Sequence, residues 1–134
     1  MGYHFEFDSG NNILRCSWKG RVTDEHLMEA FSAAVGLLAS HPSCKVIDDY
    51  SGVTQMDVSS RTIERMARLR QVPLGGIDST VVVIAPKDVV YGLARMFSLI
   101  NDQTFPNVHV VRTKRQAHAL LGVTSTQFSP IAVP

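Results

Sequence analysis

The chain lacks the features that mark several large functional classes. It has no apolar run that approaches the roughly 20 residues of a membrane span. Its formal net charge is only +1, which gives no general attraction to nucleic acids or anionic membranes. It has no glycine-rich phosphate loop and no Gly-x-Ser-x-Gly elbow, and its five histidines show no metal-ligand spacing. We therefore expect no nucleic-acid partner, no membrane span, no metal and no cofactor.

Cysteine is also scarce. Only Cys16 and Cys44 occur, each within an apolar segment, and this favours reduced, packed thiols. A disulfide between neighbouring strands is the alternative. The first residues, 1–6, show neither the basic start nor the apolar core of a signal peptide. These observations indicate a cytoplasmic protein.

What is present is the apolar content and periodicity of one globular α/β domain. The chain has 134 residues, of which 45% are hydrophobic and 19% charged, an ordinary balance for a single soluble domain. Its apolar pattern predicts the order β-β-α-β-α-β-α-β-α, with a first hairpin over residues 3–18 and a fully covered central strand over 80–85. We expect a mixed sheet with helices packed against it. Residues 1–122 form the predicted domain, and residues 123–134 form a C-terminal tail without periodicity.

Polar residues are concentrated in the segment 47–60. A strand is predicted to end near Ile47, a turn to follow at Ser51 and Gly52, and a helix to begin near Ser59. Open α/β sheets place ligand sites where strands hand over to helices. The same residue types also make ordinary turns and helix caps.

The carboxylates and hydroxyls of this segment allow two interpretations. Asp48 and Asp49 are adjacent in a strand, so their side chains should point to opposite faces and cannot form a paired dyad. One of them could bind a cation, act as a base or order the helix start, or it could simply cap a turn. Asp57, Ser59 and Ser60 can cap the helix, and at least one should do so. Phosphorylation of Ser59 is the functional alternative.

A second candidate group lies on the third predicted helix. Tyr91 and Arg95 are four residues apart and therefore neighbours, and Gly92 within a helix suggests close packing or close approach of a ligand. Arg95 could hold a small anion or a lipid headgroup. The alternatives are a stacked Tyr–Arg surface pair, or an ion pair from Arg95 to Asp48 or Asp102.

The segment 56–60, Met-Asp-Val-Ser-Ser, resembles the Met-Asp-Ser-Ser-Gly segment of STAS domains, the anti-sigma-factor antagonists. In those proteins a serine at the start of the second helix is phosphorylated and controls binding to a partner kinase. Ser59 lies at the matching position and Asp57 at the preceding aspartate. Two departures stand out: Val58 replaces the first serine, and residues 60–62 replace the usual glycine-rich helix start.

A longer resemblance covers most of residues 3–122. It is to a largely uncharacterised group of small bacterial STAS-like proteins, also described as related to SEC14-type lipid-binding folds. The resemblance is carried by Asp-Tyr-Ser-Gly-Val-Thr at 49–54 and Ala-Pro-Lys-Asp-Val-Val-Tyr-Gly-Leu-Ala-Arg-Met-Phe at 85–97. It implies a STAS-like fold and brings no established reaction.

Three functional hypotheses follow. The first is a non-enzymatic cytoplasmic binding or regulatory module, with a protein partner or a small anionic or lipid-like ligand, and with a homodimer as a further expectation. The second is a switch phosphorylated at Ser59. The third is a small enzyme in which Asp48 or Asp49 acts as a base beside Tyr91 or Arg95, and it predicts an enclosed pocket with a carboxylate of raised pKa. The residues predicted to form the ligand or partner crevice are Asp48, Asp49, Asp57, Ser59, Tyr91 and Arg95.

Overall fold

The computed structural model describes residues 2–71, 80–101 and 107–132. These residues form one mixed α/β domain with a six-stranded sheet and four helices. The strands are β1 (Tyr3–Asp8), β2 (Ile13–Thr23), β3 (Lys45–Asp57), β4 (Val81–Ile84), β5 (Val108–Val111) and β6 (Ser129–Pro130). The helices are α1 (Asp24–Ser40), α2 (Ser60–Gln71), α3 (Asp88–Asn101) and α4 (Lys114–Leu121).

The sheet has the order β5-β4-β3-β2-β1-β6. Strands β2 to β5 are parallel, and β1 pairs in the antiparallel sense with both β2 and β6. The three strand–helix–strand crossovers step in the same direction, so their common right-handedness places α1, α2 and α3 on one face of the sheet. Helix α4 packs on the other face, where Ala117 and Leu121 meet Ile13, Ile47 and Val82. The predicted mixed α/β class is confirmed.

Helix starts and the central strand follow the local sequence signals. The Thr23 hydroxyl caps α1 by accepting from the His26 amide at 3.3 Å, as its position before two acidic residues predicts. In β4, Val82, Val83 and Ile84 are all buried, which confirms a strand covered on both faces. These elements were accessible to sequence reasoning because each depends on residues that are close together along the chain.

Strand β3 is much longer than predicted. It runs without interruption over Lys45–Asp57, whereas the sequence predicted an end near Ile47 and a turn at Ser51 and Gly52. The turn prediction was wrong. Asp48 and Asp49 therefore lie inside a strand rather than at its end.

Two bulges in β3 explain why its sequence does not look like a strand. Ser17 of β2 pairs with Asp49 and Lys19 pairs with Gly52, so β3 uses three residues where β2 uses two. A second shift of the same kind follows near Gly20. Each bulge inserts one residue, which changes the spacing of the inward-facing positions from two to three. Those positions are Tyr50, Val53 and Met56.

Residues 123–132 are docked on the sheet rather than left as a free tail. Strand β6 pairs with β1, and the Gln127 amide donates to Oδ2 of the buried Asp8 at 3.1 Å. The absence of apolar periodicity in this segment hid a strand of only two residues. The predicted element order therefore gains a final strand.

Two further expectations concern the membrane and the thiols. Within the described residues, every helix is too short or too polar to cross a membrane. Cys16 and Cys44 are both free and buried, so the disulfide alternative is wrong. Both thiols belong to the core on the α1–α3 face of the sheet.

Candidate functional site

An apolar cavity of about 120 Å³ lies between the sheet and the helices α1, α2 and α3. Strands β1 to β4 supply its floor, and apolar side chains of the three helices supply its walls. Trp18, Asp48 and Tyr50 bring polar atoms to this otherwise apolar lining. On α1 and α3 the walls include Phe31, Ala34, Leu38, Leu93, Ala94 and Phe97.

The cavity explains an unusual pattern of burial on α1 and α3. Phe31 and Leu38 of α1, like Leu93 and Phe97 of α3, follow the apolar spacing of a helix that packs against a core, yet these side chains are only half-buried. They border the cavity, so one side of each lacks packed neighbours. Side chains that line a void lack dispersion contacts on that side. The apolar side chains of α1 and α3 are therefore incompletely packed within the protein itself.

The polar centre of the cavity is the carboxylate of Asp48. The Trp18 indole Nε1 donates to Oδ1 at 2.9 Å, and the Tyr50 hydroxyl donates to Oδ2 at 3.0 Å. The two aromatic rings are stacked, with 5.6 Å between their centroids and 4° between their planes. Asp48 and Tyr50 are two residues apart in β3, and Cys16 lies directly opposite Asp48 in β2. Strand pairing thus fixes the carboxylate and its donors on one face of the sheet.

Burial raises the pKa of Asp48 to about 6 from its usual 3.8. The hydrogen bonds from Trp18 and Tyr50 act in the opposite sense, and the neighbouring charge of Asp49 adds to the rise in pKa. Burial also raises the pKa of the Tyr50 hydroxyl and of the Cys16 thiol, with the Asp48 charge contributing to both. Among the described residues no cation forms an ion pair with Asp48. At neutral pH the cavity therefore holds an uncompensated negative charge.

Asp49 belongs to the opposite face of the sheet. Its Oδ1 accepts from the Ser51 amide at 2.9 Å and from the Ser51 hydroxyl at 2.6 Å. Its Oδ2 lies 3.9 Å from the Lys114 ammonium of α4. The prediction that Asp48 and Asp49 point to different faces is confirmed.

Asp57 pairs with β2, and Ser59 connects the starts of α1 and α2. The Arg21 guanidinium donates to Asp57 at 2.6 Å, and this contact lowers the pKa of that carboxyl. The Ser59 hydroxyl accepts from the Thr62 amide at 3.3 Å and so caps α2, while the Ser59 amide donates to Asp24 at 2.9 Å. The capping prediction is confirmed for Ser59, whose side chain is exposed.

Tyr91 and Arg95 lie away from the cavity. The Arg112 guanidinium stacks on the Tyr91 ring, 3.8 Å from its centroid, and forms an ion pair with Asp88 at 2.9 Å. Arg95 is exposed and borders a surface depression between α3 and β5. The predicted stacking of Tyr91 on an arginine occurs, but the partner is Arg112 rather than Arg95. Of the alternatives for Arg95, Asp102 lies outside the described residues.

The six predicted site residues do not form one constellation. Within the described part of the chain, no hydrogen bond or ion pair joins any two of them. Sequence reasoning did not single out Tyr50 or Trp18 as site residues. The sequence signal that could have found them is the alternation of side chains along a strand. It places Trp18 on the same face of β2 as Cys16, and Tyr50 on the same face of β3 as Asp48.

Gly92 does not provide close packing. A Cβ at this position would meet no described atom within 4 Å, so the close packing expected at Gly92 is absent among the described residues. We predict that Gly92→Ala raises the free energy of unfolding by about 0.5–1 kcal/mol, because alanine restricts the unfolded chain and favours the helix. Urea denaturation measures the change.

Gly20→Ala is the matched control for Gly92→Ala. Gly20 is also spacious, but its φ is +76°, a conformation that strains any side chain. This variant should lose stability. A loss in Gly92→Ala as well would show that α3 packs more tightly against its surroundings than the geometry indicates.

No family model matches this chain, and no curated protein matches it either. The resemblance to STAS-like proteins therefore stays a prediction from the motifs quoted above. Any functional assignment depends on the chemistry of the cavity and of the surfaces around it.

Proposed function

We propose that this protein is a non-enzymatic binding module that holds a small, mainly apolar molecule in the cavity beneath α1, α2 and α3. The observation that carries the proposal is the cavity itself, in which Asp48, Trp18 and Tyr50 form a cluster of hydrogen-bonding groups. Natural small-molecule sites have this composition, an apolar lining with a few convergent polar groups. The proposed site therefore differs from the crevice expected at the strand-to-helix junctions, because it lies between the sheet and the helices α1, α2 and α3.

The size of the cavity limits the ligand. An apolar cavity of roughly 150 Å³ accepts benzene, and this one measures about 120 Å³. A ligand with one ring or a short chain would restore dispersion contacts to half-buried side chains such as Phe31 and Phe97.

The proposal includes the STAS-like fold and the cytoplasmic, regulatory role predicted from the sequence. Three helices on one face of a mixed sheet are compatible with such a fold. The exposed Ser59 hydroxyl supports phosphorylation as a means of regulation, although a phosphate there would lie near the Asp24 carboxylate and repel it. A protein partner and a homodimer remain predictions.

The enzyme hypothesis has less support. Asp48 has the raised pKa that this hypothesis requires, but its expected partners are elsewhere. Neither Tyr91 nor Arg95 lines the cavity, and Arg95 borders the depression beside β5. A base without a group to stabilise developing charge favours binding over catalysis.

Toluene provides a direct test of the cavity. Trp18 is the only tryptophan of the chain and belongs to the lining, so its emission reports occupancy. We predict saturable quenching or a spectral shift of Trp18 fluorescence, together with a rise in Tm that grows with toluene concentration.

Ala94→Leu tests whether toluene enters at the proposed place. Ala94 lines the cavity from α3, and the larger side chain should fill that space and abolish the response of Trp18. The control is Ala119→Leu, at an exposed position of α4 on the opposite face, which should bind toluene like the wild type. If toluene has no effect on the wild type, or still binds to Ala94→Leu, the proposed site is wrong.

A further inference from the structure

We infer that the ligand of this cavity carries a positively charged amine, and that Asp48 is the group that binds it. The inference rests on the proposed function, since it assigns the ligand class of the same cavity. It differs from the anionic or lipid-headgroup ligand predicted from the sequence. The supporting observations are the composition of the cavity walls, the hydrogen bonds of Asp48 and the absence of a compensating charge around it among the described residues.

Among the described residues, the cavity walls offer one anion and no cation. The described side chains of α1, α2 and α3 that reach the cavity are all apolar, among them Phe31, Ile63 and Leu93. The other titratable groups of the lining are Cys16 of β2 and Tyr50 of β3, and burial raises the pKa of both. They stay neutral at physiological pH, so the charge of Asp48 sets the sign of the field inside the cavity.

The Asp48 carboxylate has capacity for a further donor. An ionised carboxylate offers about four lone-pair sites, and Asp48 uses two of them for Trp18 and Tyr50. The residue lines the cavity and keeps partial accessibility there. A ligand inside the cavity can thus reach the carboxylate without displacing either aromatic donor.

An ammonium group is the donor that best suits these surroundings. A buried charge is costly unless it is paired and hydrogen-bonded, and among the described residues Asp48 has donors but no counter-ion. A primary ammonium supplies both the opposite charge and the hydrogen bonds. A carboxylate or phosphate would meet Asp48 with no cation among the described lining residues, and the repulsion excludes it from this cavity.

Four probes that share a phenyl ring separate the contribution of the amine to the binding affinity from that of the apolar contacts. They are toluene, benzyl alcohol, benzylamine and benzoate, each titrated against Trp18 fluorescence near pH 7.5. We expect benzylamine to bind about tenfold or more tightly than benzyl alcohol, because hydrogen bonds between charged groups are stronger than neutral ones. Benzoate should bind most weakly. Ala94→Leu, the blocked variant, should bind none of the four.

The preference for the amine should depend on pH. Benzylamine stays protonated well above neutrality, like other alkylamines, while Asp48 ionises around pH 6. The affinity for benzylamine should therefore rise between about pH 5 and pH 7 and that for toluene should not, since only the amine interacts with the ionised carboxylate. Near pH 6, calorimetry in buffers of different ionisation enthalpy should show proton release when benzylamine binds.

Asp48→Asn tests the assignment to this carboxylate. The variant should lose the preference for benzylamine over benzyl alcohol. The amine inference would be overturned if Asp48→Asn kept the preference for benzylamine, or if the wild type bound benzylamine and benzyl alcohol with equal affinity. In either case, binding of toluene to the wild type would still support the proposed function. If no probe binds to the wild type, both are wrong.

Discussion

Asp48→Asn is expected to raise the free energy of unfolding near pH 7.5 by about 2–3 kcal/mol, since a rise of roughly two pKa units corresponds to about 1.4 kcal/mol per unit. Burial raises the pKa of Asp48 from 3.8 to about 6. Above that range the folded protein must hold a charge that the unfolded chain holds more easily. Asparagine removes this charge and can still accept a hydrogen bond from Trp18.

The stability difference between Asp48→Asn and the wild type should disappear at low pH. Because the pKa of Asp48 is raised in the folded state, the wild type is fully stabilised by the protonated carboxyl below the unfolded value of 3.8, and it loses this contribution as the pH rises to about 6. Urea denaturation of both proteins at several pH values measures the difference. The two curves should converge near pH 4 and separate as the pH approaches neutrality.

Asp49→Asn is the matched control, one residue away on the other face of the sheet. Its carboxylate accepts from Ser51 and lies 3.9 Å from Lys114, so the substitution removes a favourable charge interaction. We expect no gain in stability from it. If Asp48→Asn is less stable than the wild type at neutral pH, Asp48 is not an unpaired buried charge, and the amine inference loses one of its supports.

Gly52→Ala is expected to lower the free energy of unfolding by about 1–3 kcal/mol, the usual cost of forcing extra atoms into packed structure. A Cβ at Gly52 would lie 2.7 Å from the carbonyl oxygen of Trp18. That atom belongs to the backbone of β2, so relief requires the two strands to separate at the bulge. The movement would also disturb the indole that donates to Asp48.

Two measurements identify this mechanism. Denaturation gives the loss of stability, and the emission of Trp18 should shift because the strand that carries it moves. Gly92→Ala is the contrasting glycine substitution, since its Cβ meets no described atom within 4 Å. Wild-type stability and emission in Gly52→Ala would favour an open turn at Ser51 and Gly52 over the continuous strand β3.

Local patterns predicted a large part of the architecture. The helix start at Thr23 and the covered strand β4 agree with the structure, because caps and burial periodicity depend on neighbours within a few residues. The separation of Asp48 from Asp49 was also predictable, since alternation is a property of any strand. The same logic fails where bulges break the alternation, as they do in β3.

The partners of the candidate site residues were beyond local reasoning. Asp48 meets Trp18 from a strand 30 positions away in sequence, and Tyr91 meets Arg112 rather than the arginine four residues along its own helix. Which side chains meet depends on the register of paired strands and on the order of strands in the sheet. Neither quantity is encoded in the spacing of apolar residues.

The sequence by itself determined the α/β class, the main helices, the covered central strand and the presence of two carboxylates on opposite faces. These follow from composition and short-range periodicity. Only the tertiary structure decided that β3 continues through Ser51 and Gly52, that residues 123–132 dock on β1, and that α1 and α3 leave a cavity around Asp48. The physical reason is that a cavity forms where elements far apart in sequence pack without filling the space between them. Its size and charge therefore depend on every element that lines it.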